Sequence, residues 1–140
     1  MERYLNVQGK PITVYNQKIL LLDDNKDLLQ IVQIILKGQG YETVLANCIE
    51  EAKQKIKIHK PALILMDVFI SDQDGREFCN QLKNEEETSN IRVIMMSGYD
   101  SNLGLMSLTG ADDFMQKPFD YNDLLARVQK QMSSSNQTCA

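Results

Sequence analysis

The chain has 140 residues, of which 43% are hydrophobic and 24% are charged, and its formal net charge at pH 7 is −4. This length fits a single domain with a core of its own, and the composition is that of an ordinary globular protein. The negative net charge argues against a nucleic-acid partner, and the sequence contains no apolar stretch long enough for a signal peptide or a membrane span.

Five short apolar segments alternate with amphipathic segments along the chain. Continuous aliphatic runs of this length are typical of parallel strands that are covered on both faces. The predicted strands are Ile19 to Leu22, Glu42 to Leu45, Leu63 to Met66, Val93 to Met96, and Phe114 to Gln116. The last of these is the least apolar, which favours a position at the edge of the sheet.

The segments between the strands carry the signals of helix ends. The first helix is expected to begin with Asp24 or Asn25 as its N-cap. Asn47 and Glu50 have the spacing of a capping box, which predicts the start of a second helix there. Pro61 is expected to end that second helix.

The second half of the chain continues the same alternation. Asp74-Gly75 predicts a turn ahead of a third helix, and Asp120 is the expected N-cap of the last helix. Strands that alternate with helices predict an α/β fold with a parallel, doubly wound sheet. Residues 1–17 are then an N-terminal extension, residues 18–132 the domain, and residues 133–140 a flexible C-terminal tail.

Polar side chains follow four of the five predicted strands. Asp23 and Asp24 follow the first strand, Asp67 the third, Ser97 the fourth and Lys117 the fifth. Each of these residues alone is common in a turn or a helix cap. Ligands of parallel α/β sheets bind outside the carboxyl ends of the strands, so we expect the five side chains to form one site.

The chemistry of these side chains indicates phosphoryl transfer. Three carboxylates that lie close together repel one another unless one is protonated or a cation lies between them. Oxygen ligands without histidine or cysteine favour a hard cation, Mg²⁺ above all, with Mn²⁺ as a substitute. A carboxylate beside such a cation can attack phosphorus and form an acyl phosphate. The Lys117 ammonium and the Ser97 hydroxyl are suited to neutralise the phosphoryl oxygens.

Four segments of the sequence resemble, in order, the motifs of response-regulator receiver domains. They are LLLDDN, LILMD followed by Asp74-Gly75, VIMMSG, and GADDFMQKPF, and the resemblance extends from about Lys18 to Met132. It implies a flavodoxin-like (βα)5 fold with five parallel strands in the order 2-1-3-4-5. It also implies a phosphoacceptor domain of two-component signalling, which is not an enzyme but promotes only its own phosphorylation and dephosphorylation.

The resemblance assigns roles to individual residues. Asp67 would be the phosphoacceptor, and Asp24 would contact the metal directly. Asp23 would hold the metal mainly through water, and the backbone carbonyl of Phe69 would complete the protein ligands. No other cofactor is expected.

The resemblance also implies a switch and partners. Ser97 and Lys117 would bind the phosphoryl oxygens, and Phe114 would act with Ser97 as the conformational switch. The phosphoryl group would come from a sensor histidine kinase or a histidine phosphotransfer protein, and the switched surface would contact a downstream protein. The domain would be a monomer or a phosphorylation-dependent dimer.

The sequence also supports expectations about the cellular location of the protein and about whether the chain is part of a longer one. Three cysteines, Cys48, Cys79 and Cys139, share no metal-binding spacing, which indicates reduced thiols in a cytoplasmic protein. The sequence ends soon after the last predicted helix, so no DNA-binding domain is expected to follow. The chain is either a stand-alone receiver or a piece of a longer regulator or hybrid kinase.

The sequence departs from the family pattern at several positions. Ser71 stands where the family often has proline, and Phe114 replaces the commoner tyrosine. The segment before Lys117 is about two residues short and contains Gly104 and Gly110, which predicts a short or distorted helix there.

Two aromatic residues are expected near the reacting group. Phe69 and Tyr99 lie two residues beyond Asp67 and Ser97, at positions that border the route of the attacking water in the family. We hypothesise that these bulky side chains slow hydrolysis of the aspartyl phosphate.

Three other functions fit parts of the pattern. A metal-dependent phosphohydrolase with an aspartyl-phosphate intermediate needs a second acid two residues after the nucleophile, where this chain has Phe69. A flavodoxin-like cofactor module needs a first loop rich in Ser, Thr and Gly, where this chain has Asp23 and Asp24. A receiver that serves only as an interaction module would not need the complete set of side chains.

Overall fold

The computed structural model describes residues 18–98 and 109–136, together with two short segments at residues 4–5 and 11–12. Five parallel strands form one sheet. They are β1 (Lys18–Leu22), β2 (Glu42–Ala46), β3 (Leu63–Asp67), β4 (Arg92–Ser97) and β5 (Asp113–Gln116). Their order in the sheet is β2-β1-β3-β4-β5. The predicted strands and their order are confirmed, with ends that shift by one residue.

Four helices connect and cover the strands in the described part of the chain. They are α1 (Lys26–Gly38), α2 (Ile49–His59), α3 (Gly75–Asn84) and α4 (Tyr121–Asn136). The short or distorted helix predicted between β4 and β5 falls mainly on residues 99–108, outside the described residues. In the N-terminal extension, Tyr4–Leu5 pairs antiparallel with Pro11–Ile12.

The sheet is covered on both faces, as the aliphatic strand sequences predict. Leu20 and Leu22 of β1 pack with residues of α2 and α3, whereas Ile19 and Leu21 pack with residues of α1 and α4. Side chains alternate between the two faces of a strand, so both sets must be apolar. The doubly wound architecture is therefore confirmed. No helix in the described ranges is both long and apolar enough to cross a bilayer.

Two helices begin with side-chain caps: the cap of α1 was among those predicted, whereas Asp74 was predicted only as part of a turn. Asn25 is the N-cap of α1, and its side-chain oxygen accepts a hydrogen bond from the Leu28 N–H at 3.1 Å. Asp74 is the N-cap of α3 and accepts from the Arg76 N–H at 2.9 Å. These oxygens satisfy backbone donors that have no partner within the helix.

The start of α2 differs from the prediction by one residue. The N-cap is Cys48, which makes no side-chain capping bond, and the Glu51 carboxylate accepts a hydrogen bond from the Asn47 N–H at 2.8 Å. The predicted capping box of Asn47 and Glu50 is therefore wrong. One face of α2 is apolar and packs against the sheet. The buried residues of that face are Ile49, Ala52 and Ile56.

Between β3 and α3 the chain forms a tight hairpin, residues 69–74, in which Phe69–Ile70 pairs with Gln73–Asp74. The two connecting residues, Ser71 and Asp72, have φ angles of 49° and 65°. Two left-handed residues in a two-residue connection match the twist of the paired strands. Proline, whose φ is fixed near about −65°, cannot adopt this geometry at Ser71. The sequence shows that Ser71 stands where proline is common in the family, but it did not predict the hairpin.

Asp112 anchors the chain just before β5. Its carboxylate accepts hydrogen bonds from Lys83 Nζ at 2.7 Å, Arg92 Nη1 at 3.2 Å and the Val93 N–H at 2.8 Å. Lys83 Nζ also donates to the Ile91 carbonyl at 2.7 Å. This network joins α3, β4 and the entry to β5. This role of Asp112 was not predicted from the sequence.

Cys79 is expected to be unreactive in the folded protein. Its side chain is 0% exposed, and burial raises the pKa of its thiol to about 11, although a hydrogen bond with Thr109 and the charge of Lys83 act in the opposite direction. Because the thiolate is the nucleophile, iodoacetamide at mildly alkaline pH should modify the half-buried Cys48 well before Cys79. Peptide mass spectrometry measures both sites. Labelling of Cys79 as fast as Cys48 in the native protein would contradict this expectation; unfolding should remove the difference.

Candidate functional site

Three acidic side chains meet at the carboxyl ends of β1 and β3. One carboxylate oxygen from each of Asp23, Asp24 and Asp67 lies within 4.8 Å of the others. Asp23 is buried, Asp67 is half-buried and Asp24 is exposed, so the cluster opens to solvent on one side. The structure thus brings together the three acids that the sequence places after two different strands.

Lys117 lies directly after β5 and reaches into this cluster. Its Nζ donates to Asp23 Oδ2 at 2.7 Å and to Asp67 Oδ2 at 3.2 Å. The peptide bond between Lys117 and Pro118 is cis. Residues that are 50 and 94 positions apart in the sequence are therefore in direct contact.

Burial and charge act against each other at Asp67. Burial raises the pKa of its carboxyl group, and the neighbouring Asp23 raises it further. Lys117 lowers that pKa through its charge and its hydrogen bond, and the Val68 N–H lowers it as well, but burial prevails. Without a further cation, an anionic Asp67 is thus held at some cost in free energy.

Lys117 remains a cation in this environment. Burial by itself would lower the pKa of Lys117, but the hydrogen bond and charge of Asp23, together with those of Asp67, outweigh burial and raise it. A single ammonium is therefore shared between two carboxylates. The third carboxylate, Asp24, makes no ion pair with Lys117 among the described contacts.

Backbone contacts fix the two adjacent acids. The Asp23 N–H donates to the Ala46 carbonyl at 3.2 Å, and Asp23 Oδ1 accepts from the Asn25 N–H at 3.0 Å. Asp24 Oδ2 accepts from the Ser71 N–H at 3.0 Å. The tip of the hairpin therefore contacts the acid cluster directly.

The remaining predicted site residues that the structure describes lie on β4, on β5 and in the hairpin. Ser97 ends β4, is 8% exposed, and its carbonyl accepts a hydrogen bond from the Lys117 N–H at 2.6 Å. Phe114 lies in β5 and packs, half-buried, against the core between the sheet and α2 and α3. Phe69 lies at the base of the hairpin with an exposed ring. Tyr99 falls outside the described residues.

Gly75 is a site residue that the sequence analysis treated only as part of a turn. Its N–H donates to the Val68 carbonyl at 2.6 Å, and a Cβ added to it would lie 2.2 Å from the Asp67 carbonyl oxygen. Only glycine therefore allows the start of α3 to approach the backbone at Asp67 this closely. The sequence signal was present in Asp74-Gly75, but sequence alone could not reveal which backbone atoms would be nearby.

The donor set suits a hard divalent cation and a phosphoryl group. Three carboxylates face one ammonium, so the cluster retains negative charge that a cation such as Mg²⁺ can neutralise. Oxygen donors alone, without histidine or cysteine, match that ion. Lys117 directly follows β5, and Ser97 ends the neighbouring strand β4. The Lys117 ammonium and the Ser97 hydroxyl are therefore both suited to bind an anionic group.

The sequence matches a known family over most of its length. Residues 19–129 match the family model of the response regulator receiver domain. The alkaline phosphatase synthesis transcriptional regulatory protein PhoP of Bacillus subtilis (strain 168) is 37% identical over 115 residues, which cover 81% of this chain and 47% of that protein. The chain spans about half the length of the curated relatives that it matches.

Solved structures match the fold. A CheY-like response regulator receiver domain protein from Methanospirillum hungatei JF-1 is similar with a TM-score of 0.80 and 28% identity, over 88% of this chain and 98% of that chain. The signal receiver domain of a signal transduction histidine kinase from Syntrophus aciditrophicus has the same TM-score of 0.80 and 28% identity, over 89% of this chain and 96% of that chain. Both likenesses extend over nearly the whole of the matched domain.

Proposed function

The chain belongs to the response regulator receiver domain family of two-component systems, and from this premise we propose that Asp67 accepts a phosphoryl group with the help of a divalent cation. One observation carries the proposal. Lys117 Nζ contacts Asp67 and Asp23 simultaneously, within a cluster of three carboxylates at the carboxyl ends of the strands. The Lys117 ammonium beside Asp67, together with a cation that the three carboxylates would hold, suits a reaction that brings a dianionic phosphoryl group to an anionic carboxylate.

The cation is Mg²⁺, or Mn²⁺ in its place, and the chain holds it through oxygen atoms. Asp24 would bind it directly, Asp23 would hold it mainly through water, and Asp67 and the backbone carbonyl of Phe69 would supply the remaining protein oxygens. The fit rests on the donor chemistry, because the clustered carboxylates carry more negative charge than Lys117 neutralises. Once bound, the cation lowers the repulsion between the phosphoryl oxygens and Asp67.

The phosphoryl donor is the phosphohistidine of a sensor histidine kinase or a histidine phosphotransfer protein. An Asp67 carboxylate oxygen attacks phosphorus, the phosphorus–nitrogen bond breaks, and the imidazole leaves with the bonding electrons and takes up a proton. The product is an acyl phosphate on Asp67. The Lys117 ammonium and the Ser97 hydroxyl bind the phosphoryl oxygens during the transfer.

Phosphorylation then shifts an existing equilibrium between two conformations. The Ser97 hydroxyl moves toward the phosphoryl group, and the half-buried ring of Phe114 turns inward. The surface that changes includes β5, α4 and the segment between β4 and β5, and it contacts a downstream protein. The domain acts in the cytoplasm as a monomer or a phosphorylation-dependent dimer, and it catalyses only its own phosphorylation and dephosphorylation.

Two other functions have less support. A phosphohydrolase needs a proton-transferring acid two residues after the nucleophile, and the hydrocarbon ring of Phe69 cannot transfer protons. A flavodoxin-like cofactor module would bind a phosphate at the first loop, where Asp23 and Asp24 repel it. The family match also speaks for signalling rather than for turnover of a substrate.

The proposal predicts metal-dependent phosphorylation that depends on Asp24. Incubation with Mg²⁺ and acetyl phosphate should add the mass of one phosphoryl group to the intact protein, and EDTA should prevent this. Asp24→Asn should weaken Mg²⁺ binding by at least about tenfold, because even outer partners of metal ligands contribute 10–100-fold. Titration calorimetry measures the affinity without any phosphoryl donor.

Asp27→Asn is the matched control for Asp24→Asn. Asp27 is also exposed and lies in the first turn of α1, but it is not part of the acid cluster. This variant should bind Mg²⁺ and gain the phosphoryl group as the wild type does. Equal Mg²⁺ affinities of the two variants would contradict the assignment of Asp24. The absence of a mass gain in the wild type with Mg²⁺ would overturn the proposed function.

A further inference from the structure

The chain continues in an extended conformation from Asp67 into the hairpin, and its side chains alternate in burial. Val68 and Ile70 are 5% and 0% exposed, whereas Asp67 is half-buried and Phe69 is 60% exposed. Successive side chains of an extended chain point to opposite sides. Asp67 and Phe69 therefore share the solvent side, and the Phe69 ring is the next side chain beside the reacting carboxylate on that side.

The Phe69 ring lies against a charged side chain, that of Arg76. The guanidinium carbon of Arg76 lies 5.5 Å from the centre of the ring, which is within the range of a cation–π contact. Arg76 is itself held by a forked ion pair, since Nε and Nη2 each lie 3.0 Å from a carboxylate oxygen of Asp74. A guanidinium fixed by two parallel hydrogen bonds has little freedom to move. The ring therefore rests against a fixed group.

The backbone of the hairpin is also fixed at its tip. The Ser71 N–H donates to Asp24 Oδ2 at 3.0 Å, and the Ser71 hydroxyl lies 3.5 Å from the Asn47 carbonyl. At the base, Asp74 caps α3. With the backbone held at both ends, we expect the contact with Arg76 to restrict the orientation of the exposed Phe69 ring.

We propose that Arg76 is a positioning residue that holds the Phe69 ring as an apolar wall beside Asp67, and that this wall prolongs the lifetime of the aspartyl phosphate. The inference rests on the proposed function. In hydrolysis, the oxygen of a water molecule bonds to phosphorus and the bond between phosphorus and Asp67 breaks. The carboxylate is regenerated, and inorganic phosphate leaves with the protons of the water. A hydrocarbon ring on the solvent side neither orients that water nor accepts its proton.

The test is the decay of the phosphorylated protein after acetyl phosphate is removed, measured as intact mass in the presence of Mg²⁺. Arg76→Gln should decay about two- to fivefold faster than the wild type, the ratio that corresponds to loss of a cation–π contact at an exposed site. Phe69→Ala should decay at least as fast. In the double variant, Arg76→Gln should add nothing to Phe69→Ala, because the ring that Arg76 holds is already absent.

Arg92→Gln is the matched control. Arg92 also pairs with an aspartate, with Nη1 at 3.2 Å from Asp112 Oδ1, but it is the first residue of β4, at the opposite end of that strand from the site. This variant should retain the wild-type decay. Thermal unfolding of every variant shows whether a faster decay merely follows a loss of stability.

The outcomes separate the inference from the function on which it rests. A wild-type decay in Arg76→Gln together with a fast decay in Phe69→Ala would show that the ring acts without Arg76. A further acceleration by Arg76→Gln in the Phe69→Ala background would show that Arg76 acts by another route. Either result overturns the inference and leaves the phosphoacceptor role intact, whereas a wild type that is never phosphorylated overturns both.

Discussion

Asp67→Asn is expected to abolish phosphorylation and at the same time to stabilise the metal-free protein. Asparagine has nearly the same shape but provides no carboxylate to attack phosphorus, so the mass gain with Mg²⁺ and acetyl phosphate should disappear. Lys117 keeps its shorter contact, the 2.7 Å hydrogen bond to Asp23, so the variant does not leave an unpaired buried ammonium. Relief of a partly buried charge conflict is expected to raise the free energy of unfolding by roughly 0.5–2 kcal/mol.

The pH dependence of the free energy of unfolding tests whether removal of the Asp67 charge stabilises the protein. Burial, together with Asp23, raises the pKa of Asp67 above its value in the unfolded chain, so the folded protein holds this proton more tightly. The free energy of unfolding of the metal-free wild type should therefore fall as the pH rises from the unfolded pKa through the folded pKa of Asp67. Asp67→Asn lacks this titrating group. Its higher free energy of unfolding relative to the wild type should therefore be present at pH values above the folded pKa of Asp67 and absent below the unfolded pKa.

Denaturant unfolding in EDTA measures the stability of both proteins. Asp27→Asn makes the same charge change on the surface and should alter the free energy of unfolding by no more than about 0.5 kcal/mol. A variant without Asp67 that still gains one phosphoryl group would show that another residue is the acceptor. Strong destabilisation by Asp67→Asn would show that the ion pair with Lys117 outweighs the burial of the charge.

Gly75→Ala is expected to destabilise the protein and to disturb the site together. The added Cβ would lie 2.2 Å from the Asp67 carbonyl oxygen and 3.0 Å from that of Val68. Both contacts are with backbone atoms, so either α3 or the chain at Asp67 must shift. Overpacking of this kind costs about 1–3 kcal/mol. Because the displaced backbone carries the phosphoacceptor, phosphorylation should slow as well.

Gly38→Ala is the control variant, and its expected effect on stability has the opposite sign to that of Gly75→Ala. Gly38 is the last residue of α1, and a Cβ added there meets no atom within 4 Å. Alanine is the better helix former by about 1 kcal/mol in a helix interior, so this variant should be neutral or slightly stabilised. Denaturant unfolding and the initial rate of phosphorylation measure both effects. Equal stabilities of the two variants would contradict the role assigned to the close approach at Gly75.

The sequence predicted most of the fold because burial on two faces leaves a clear pattern. Aliphatic runs such as LILM are typical of strands that are covered on both faces, and Leu63 to Met66 of β3 are 0% exposed. The convergence of Asp23, Asp67 and Lys117 followed from the same pattern, because parallel strands place their carboxyl ends at one edge. Local capping was less predictable: α2 starts one residue later than expected, and the carboxylate that accepts from the Asn47 N–H is that of Glu51 instead of Glu50.

The hairpin and the Asp112 network were not predictable from local sequence. Ser71 and Asp72 adopt left-handed backbone conformations without glycine, so the usual turn signal is absent. The contact of Ser71 with Asp24 that supports this turn joins residues 47 positions apart. Asp112 interacts with α3 and β4 only once the fold has formed. In each case the decisive contacts are tertiary, and the sequence alone does not show them.

Lys117 directly follows an edge strand with little burial, and this has a consequence for regulation. β5 forms one edge of the sheet, pairs with β4 alone among the described strands, and has Met115 as its one buried residue. Edge elements with little burial open by local fluctuations that need much less free energy than global unfolding. Opening of β5 would withdraw the ammonium while the acids on β1 and β3 stay in place. Amide hydrogen exchange should therefore be faster in β5 than in β3, and any ligand that clamps the edge of the sheet would raise the fraction of molecules able to react.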